Sequence, residues 1–122
     1  MPLYNMNDPT KLSRIFTALS VDTRIRIVLL LRERCLCVNA LAARLGVTPA
    51  AVSQHLRVLR DAGLLIAERR GCYVHYRLDG RTLQRWGRMA NGLLSPSVRP
   101  TKQGVRVGRL RPASHRRRQR NV

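Results

Sequence analysis

The feature that most constrains this chain is a corner. Two short helical stretches are separated only by Gly46-Val47-Thr48, and beyond the second the apolar period changes from helical to alternating. Val38–Leu45 is expected as a helix that stops at Gly46, the residue best suited to a left-handed end. Thr48-Pro49 then opens another, with the hydroxyl as cap and proline in the first turn. That helix is expected to end at Gly63. Past it, 64–69 and 72–78 carry β-branched and aromatic residues in alternation around an Arg70-Gly71 turn, the pattern of a hairpin.

The flanks are helical. Asp8-Pro9 caps and opens a stretch through Leu19, and Ser20 is expected to cap another over 21–33. In the latter, Ile25, Val28, Leu29 and Leu31 are assigned to the inner side, with Arg24, Arg26 and Arg32 toward solvent. Asp79 is positioned to cap a last helix over Gly80–Leu94. The order helix, helix, helix, helix, hairpin, helix predicts a mainly α (α+β) fold: a winged helix-turn-helix of four helices, a β-hairpin wing and a C-terminal helix. No internal repeat is visible. Residues 1–94 read as one domain, and 95–122 as a disordered basic tail. The tail holds nine Lys/Arg, no acid and no apolar periodicity, so it cannot bury enough surface to offset its chain entropy.

Charge narrows the partner. The chain carries 24 Lys/Arg against six Asp/Glu, a net +18 over 122 residues. Such an excess favours polyanions, the phosphate backbone of nucleic acid foremost. No apolar run approaches the roughly 20 residues of a membrane span. The first ten residues lack the basic and apolar regions of a secretion signal. Three cysteines are an odd number, read as reduced thiols. A cytoplasmic location and no membrane association are therefore expected.

The helix after the corner can be divided by angle. At about 100° per residue, Val52, Leu56 and Leu59 share the core side, while Ala50, Ser53, Gln54 and Arg57 lie opposite. Glutamine bonds adenine in bidentate fashion, serine adapts, and arginine reaches guanine or phosphate. Thr48, Ala50, Ser53, Gln54 and Arg57 are thus the candidate base and phosphate contacts. His55, at the edge of the core stripe, is assigned to packing or phosphate rather than to a metal. Arg69, Arg70 and Arg77 of the hairpin are candidate backbone contacts. Each also suits a solvated strand edge that discourages aggregation.

Three stretches together resemble ArsR/SmtB-type regulators: Ile15 to Ser20 with Thr23 to Val28; Leu41 to Val47 with Val52 to Leu64; and the hairpin from Arg69 to Leu78. The likeness covers about residues 12–80. It implies a homodimeric winged-helix repressor on a palindromic operator in double-stranded DNA, released when a metal, metalloid or thiol oxidant binds. It also implies a dimer held by the first and last helices. Leu83, Trp86, Ala90 and Leu94 form an apolar stripe on the last helix, with no further domain to pack against. They are the candidate dimer contacts.

Metal-sensing members of that family often carry Glu-Leu-Cys-Val-Cys-Asp before the third helix. Here the segment is Cys35-Leu36-Cys37-Val38-Asn39-Ala40. Cys37 matches the first family cysteine, Asn39 replaces the second, Ala40 the acid, and Cys35 stands in place of glutamate. The family's other site, built from acids and histidines on the last helix, has no counterpart in 80–94. Cys35 and Cys37 can begin a site for arsenite or a soft divalent metal, which usually takes three or four donors. They can equally serve a redox switch or pack as small apolar residues. Nothing in the sequence brings Cys72 to them. The expectation is a sequence-specific transcriptional repressor and not an enzyme. Its rival is a non-specific architectural nucleic-acid-binding protein, for which the Ser53-Gln54-Arg57 face would be unnecessary.

Overall fold

A computed structural model describes residues 8–96. Its elements are α1 (Pro9–Leu19), α2 (Asp22–Leu31), β1 (Leu36–Cys37), α3 (Val38–Leu45), α4 (Pro49–Asp61), β2 (Leu65–Arg70), β3 (Tyr73–Leu78) and α5 (Gly80–Leu94). The caps sit where the side-chain chemistry requires. Asp8 Oδ1 accepts from the Thr10 amide at 2.9 Å, and Asp79 Oδ1 accepts from the Arg81 and Thr82 amides at 3.1 and 3.4 Å. Each supplies a partner to amides that a helix start leaves unbonded.

The core lies where α1 to α4, the base of the hairpin and α5 converge. Ile27, Leu41, Leu56, Leu59, Leu64 and Val52 are its fully buried side chains. Each contributes roughly 1.5–3 kcal/mol through the apolar surface it removes from water. No helix among the described residues is long and apolar enough to cross a membrane. The expected basic tail, apart from Ser95 and Pro96, lies outside the described residues.

The structure corrects three local expectations. Ser20 closes α1 rather than opening α2. Its amide and Oγ both donate to the Thr17 carbonyl, at 3.2 and 2.9 Å, and Val21 stands at the start of α2 without a side-chain cap. Helix α2 ends at Leu31, and its inner side is Ile27 and Leu31, with Val28 and Leu30 partly covered. Ile25 and Leu29 instead face outward, 44% and 56% exposed. With apolar residues at 25 and 27–31, the helix is apolar almost all round, so neighbouring helices select its buried face. The hairpin strands are 65–70 and 73–78, and the turn is Gly71-Cys72, with Gly71 at φ 66°.

The sheet is antiparallel in the order β1-β3-β2. Leu36 pairs with Tyr76, which pairs with Ala67; Cys37 pairs with His75, which pairs with Glu68. Alternation therefore gives Leu36, Tyr76, Leu65 and Leu78 one face, toward the core, and Cys37, His75, Glu68 and Arg77 the other. β1 has only two residues, too short to register as a strand in the sequence. It ties the start of α3 to the middle of the wing.

Candidate nucleic-acid interface

The corner between α3 and α4 is held by backbone geometry. Gly46 adopts φ 71°, and the amides of Gly46 and Val47 both donate to the Ala42 carbonyl, at 2.9 and 3.2 Å. Thr48 Oγ1 accepts from the Ala51 amide at 3.1 Å, and Pro49 follows at the first helical position. Val52, Leu56 and Leu59, at 0%, 2% and 0% exposure, anchor α4 in the core. Thr48, Ala50, Ser53, Gln54 and Arg57 are exposed on its outer side. The face is a rigid set of small, amide and guanidinium groups, able to enter a groove and bond base edges.

Arg60 was not among the sequence candidates, yet it lines the same shallow cleft as Ser53 and Arg57, completed by Tyr76 of β3. Its signal was available: Ser53, Arg57 and Arg60 follow the i, i+4, i+7 spacing of one helix side. His55 is half-buried, and its Nδ1 accepts from Arg24 Nε at 3.3 Å. Arg24, expected to reach solvent, is instead half-buried and bonded.

The wing arginines differ from one another. Glu68 accepts from Arg70 Nη2 at 3.4 Å and from Arg77 Nε at 3.3 Å. The Arg77 hydrogen bond and charge hold the Glu68 carboxyl below the usual glutamate range; slight desolvation opposes this, and Arg70 adds to it. Two of the three predicted backbone contacts are thus paired with Glu68, Arg70 along β2 and Arg77 across from β3. Arg69, on the other face of β2, is exposed and makes no side-chain bond among the described residues.

Leu36 points into the core, and the flanking Cys35 and Cys37 are half-buried free thiols. Cys35 Sγ lies 3.9 Å from Arg70 Nη2. The thiol lines an open cleft of about 370 Å³ with Arg32, Arg34 and Arg77. Cys72 is exposed in the wing turn. It lies three residues beyond His75, the partner of Cys37, which is roughly 10 Å along a strand. Cys72 is therefore not brought to the pair within one chain. No group of three or more His, Cys, Asp or Glu among the described residues could hold a metal ion. The pair alone does not complete a three-donor site. His75, which pairs with Cys37, has a buried Nδ1 without a hydrogen-bond partner among the described residues.

On α5 the predicted stripe divides. Trp86 is 8% exposed and, with Met89, packs into the chain's own core. Leu83 and Ala90 are half-buried. Leu93 and Leu94, 53% and 67% exposed, and Phe16 of α1 offer apolar surface outward. Trp86 belongs inside because α5 rolls its bulkiest side chain onto α1.

Residues 22–67 match the family described as bacterial regulatory protein, arsR family. The chain is 40% identical over 81 residues to an arsenic resistance transcriptional regulator of Pseudomonas putida, covering 66% of this chain and 63% of that protein. The match thus spans less than two-thirds of that relative's length. Among solved structures, an ArsR-like transcriptional regulator from Rhodococcus superposes with a TM-score of 0.62 at 31% identity, over 69% of this chain and 79% of that one. A homodimeric winged helix-turn-helix DNA-binding domain from Mycobacterium bovis superposes with a TM-score of 0.59 at 26% identity, over 74% and 83%.

Proposed function

The chain belongs to the arsR family of bacterial regulatory proteins, and from that premise we propose that it is a sequence-specific transcriptional repressor of double-stranded DNA. The observation that carries this reading is the exposed Ala50, Ser53, Gln54 and Arg57 face on a helix locked into the core by Val52, Leu56 and Leu59. Thr48, with its hydroxyl at the helix start, stands next to the phosphates. Arg69 reaches the backbone from the wing, and Arg70 and Arg77 do so to the extent that Glu68 releases them. The basic residues of 95–122 add sequence-independent attraction through counterion release.

The repressor acts as a homodimer in the cytoplasm. Leu83, Ala90 and Leu94 of α5, extended by Leu93 and by Phe16 of α1, form its contact, over Trp86 in each subunit's own core. A two-fold dimer sets its reading helices about 34–36 Å apart, matching a palindromic operator. Cys35 and Cys37, at the junction of β1 and α3, are the switch. A thiol-reactive effector bound there acts on the wing and the reading helix together, because β1 pairs with β3 and runs directly into α3.

The test is binding of the reduced protein to its own promoter and to random DNA at about 150 mM salt, with and without arsenite, cadmium or a disulfide oxidant. A preference of about 10³ or more is expected, abolished by an effector and rendered insensitive by Cys35→Ser or Cys37→Ser. Equal binding to both DNAs would establish the architectural reading instead.

A further inference from the structure

Arg24 joins three elements. It stands in the first turn of α2, and its Nη1 donates to the carbonyls of Thr17 and Ala18 at 3.4 and 3.3 Å. Those carbonyls belong to the last turn of α1, the helix's negative end, where Arg24 adds to the donors Ser20 already gives Thr17. The other edge of the same guanidinium reaches α4, 31 residues away in sequence, through the 3.3 Å bond from Nε to His55 Nδ1. A planar fork holds both partners along fixed directions on its two edges, whereas a lysine ammonium gathers its rotatable donors at a single point.

The bond also sets the chemistry of His55. A guanidinium nitrogen only donates, so Nδ1 must accept, and the proton of the neutral ring resides on Nε2. His55 Nε2 makes no hydrogen bond among the described residues. His55 lies about 100° around α4 from Gln54. It lies about 140–160° from Ala50, Ser53 and Arg57, on the side of α4 turned toward the body of the protein.

We propose that Arg24 is a positioning residue for DNA recognition: through His55 it bolts the reading helix to the end of α1. This rests on the DNA-binding reading. Because α1 also carries part of the proposed dimer contact, the same guanidinium couples the spacing of the two subunits to the orientation of α4. The Arg24–His55 bond orients α4, so its loss falls on the base contacts of Ser53, Gln54 and Arg57 rather than on phosphate contacts.

The experiment uses the full chain and four variants, Arg24→Met, Arg24→Lys, His55→Ala and the double Arg24→Met/His55→Ala. Ring ¹⁵N NMR at a pH where the imidazoles are neutral is expected to find His55 in the Nε2–H tautomer in the wild type, and a mixture of tautomers in Arg24→Met. Each single variant is expected to weaken promoter binding about tenfold and random-DNA binding by less than about twofold. The double variant is expected to be no weaker than either single one, since both remove the same contact. Arg24→Lys keeps the charge and the fold but not the fork, and is expected to behave as Arg24→Met.

Promoter affinity unchanged in a folded Arg24→Lys or Arg24→Met chain overturns the proposal, as does a double variant weakened by the product of the two single effects. Those outcomes leave promoter preference intact in the wild type. A wild-type chain that binds promoter and random DNA equally overturns the DNA-binding reading and this proposal together.

Discussion

Glu68 is the acid to remove. Its carboxylate holds Arg77 at 3.3 Å and Arg70 at 3.4 Å on one face of the wing, so Glu68→Gln frees two wing guanidiniums without changing the hairpin's shape. Each new phosphate contact steepens the dependence of log K on log salt by about 0.9. Two contacts steepen it by about 1.8. Extrapolated from 1 M, one contact corresponds to about fivefold tighter binding at 150 mM salt, and two to about thirtyfold. Promoter and random DNA should gain alike, because phosphate carries no sequence information. Thermal stability should barely change, since exposed ion pairs contribute little.

Acidification does not substitute for the mutation near neutral pH. The folded carboxyl titrates below its ordinary value, so the favourable pairing is fully present above the unfolded pKa of about 4.3. It is lost only as pH falls through the lower folded value. The assay is a fluorescence-anisotropy titration over a series of salt concentrations. A salt slope unchanged in Glu68→Gln, with the hairpin intact by NMR, would refute the view that Glu68 restrains these arginines.

Other consequences follow from the same contacts. Leu59→Ala removes a fully buried side chain between α4 and the core and should cost about 3–4 kcal/mol in denaturant unfolding. Thr48→Ala deletes the cap on the Ala51 amide and should cost about 1 kcal/mol in the same assay, with weaker binding to all DNA. Gln54→Ala should relax preference at one base pair by about 1–3 kcal/mol, read by competition across single-base operator variants. Arg77→Gln should raise the midpoint of the Glu68 titration toward the ordinary glutamate value in a carboxyl-detected NMR experiment, since Arg77 is the main cause of its depression.

Much of the outward face of α4 was legible in the sequence. Thr48-Pro49 announced the start of α4, Gly46 the end of α3, and the spacing of Val52, Leu56 and Leu59 the side that turns inward. Each of these is a contact within a few residues along the chain, or a periodicity that one helix expresses alone. Two missed residues, Arg60 and Glu68, left local signals: helical spacing for one, and for the other an acid among the hairpin's arginines.

What the sequence by itself determined, then, is the five helices, the hairpin, most of the caps and the outward side of α4, because caps and periods are properties of short segments. Tertiary structure alone decided the rest. It chose Ile27 over Ile25 as the inward side of a helix apolar nearly all round. It turned Trp86 into the subunit's own core and recruited Leu36 and Cys37 as a third strand. It brought Arg24 to His55 across 31 residues. These depend on which surfaces meet once the chain has folded, and no local pattern carries the identity of a partner that distant in the sequence.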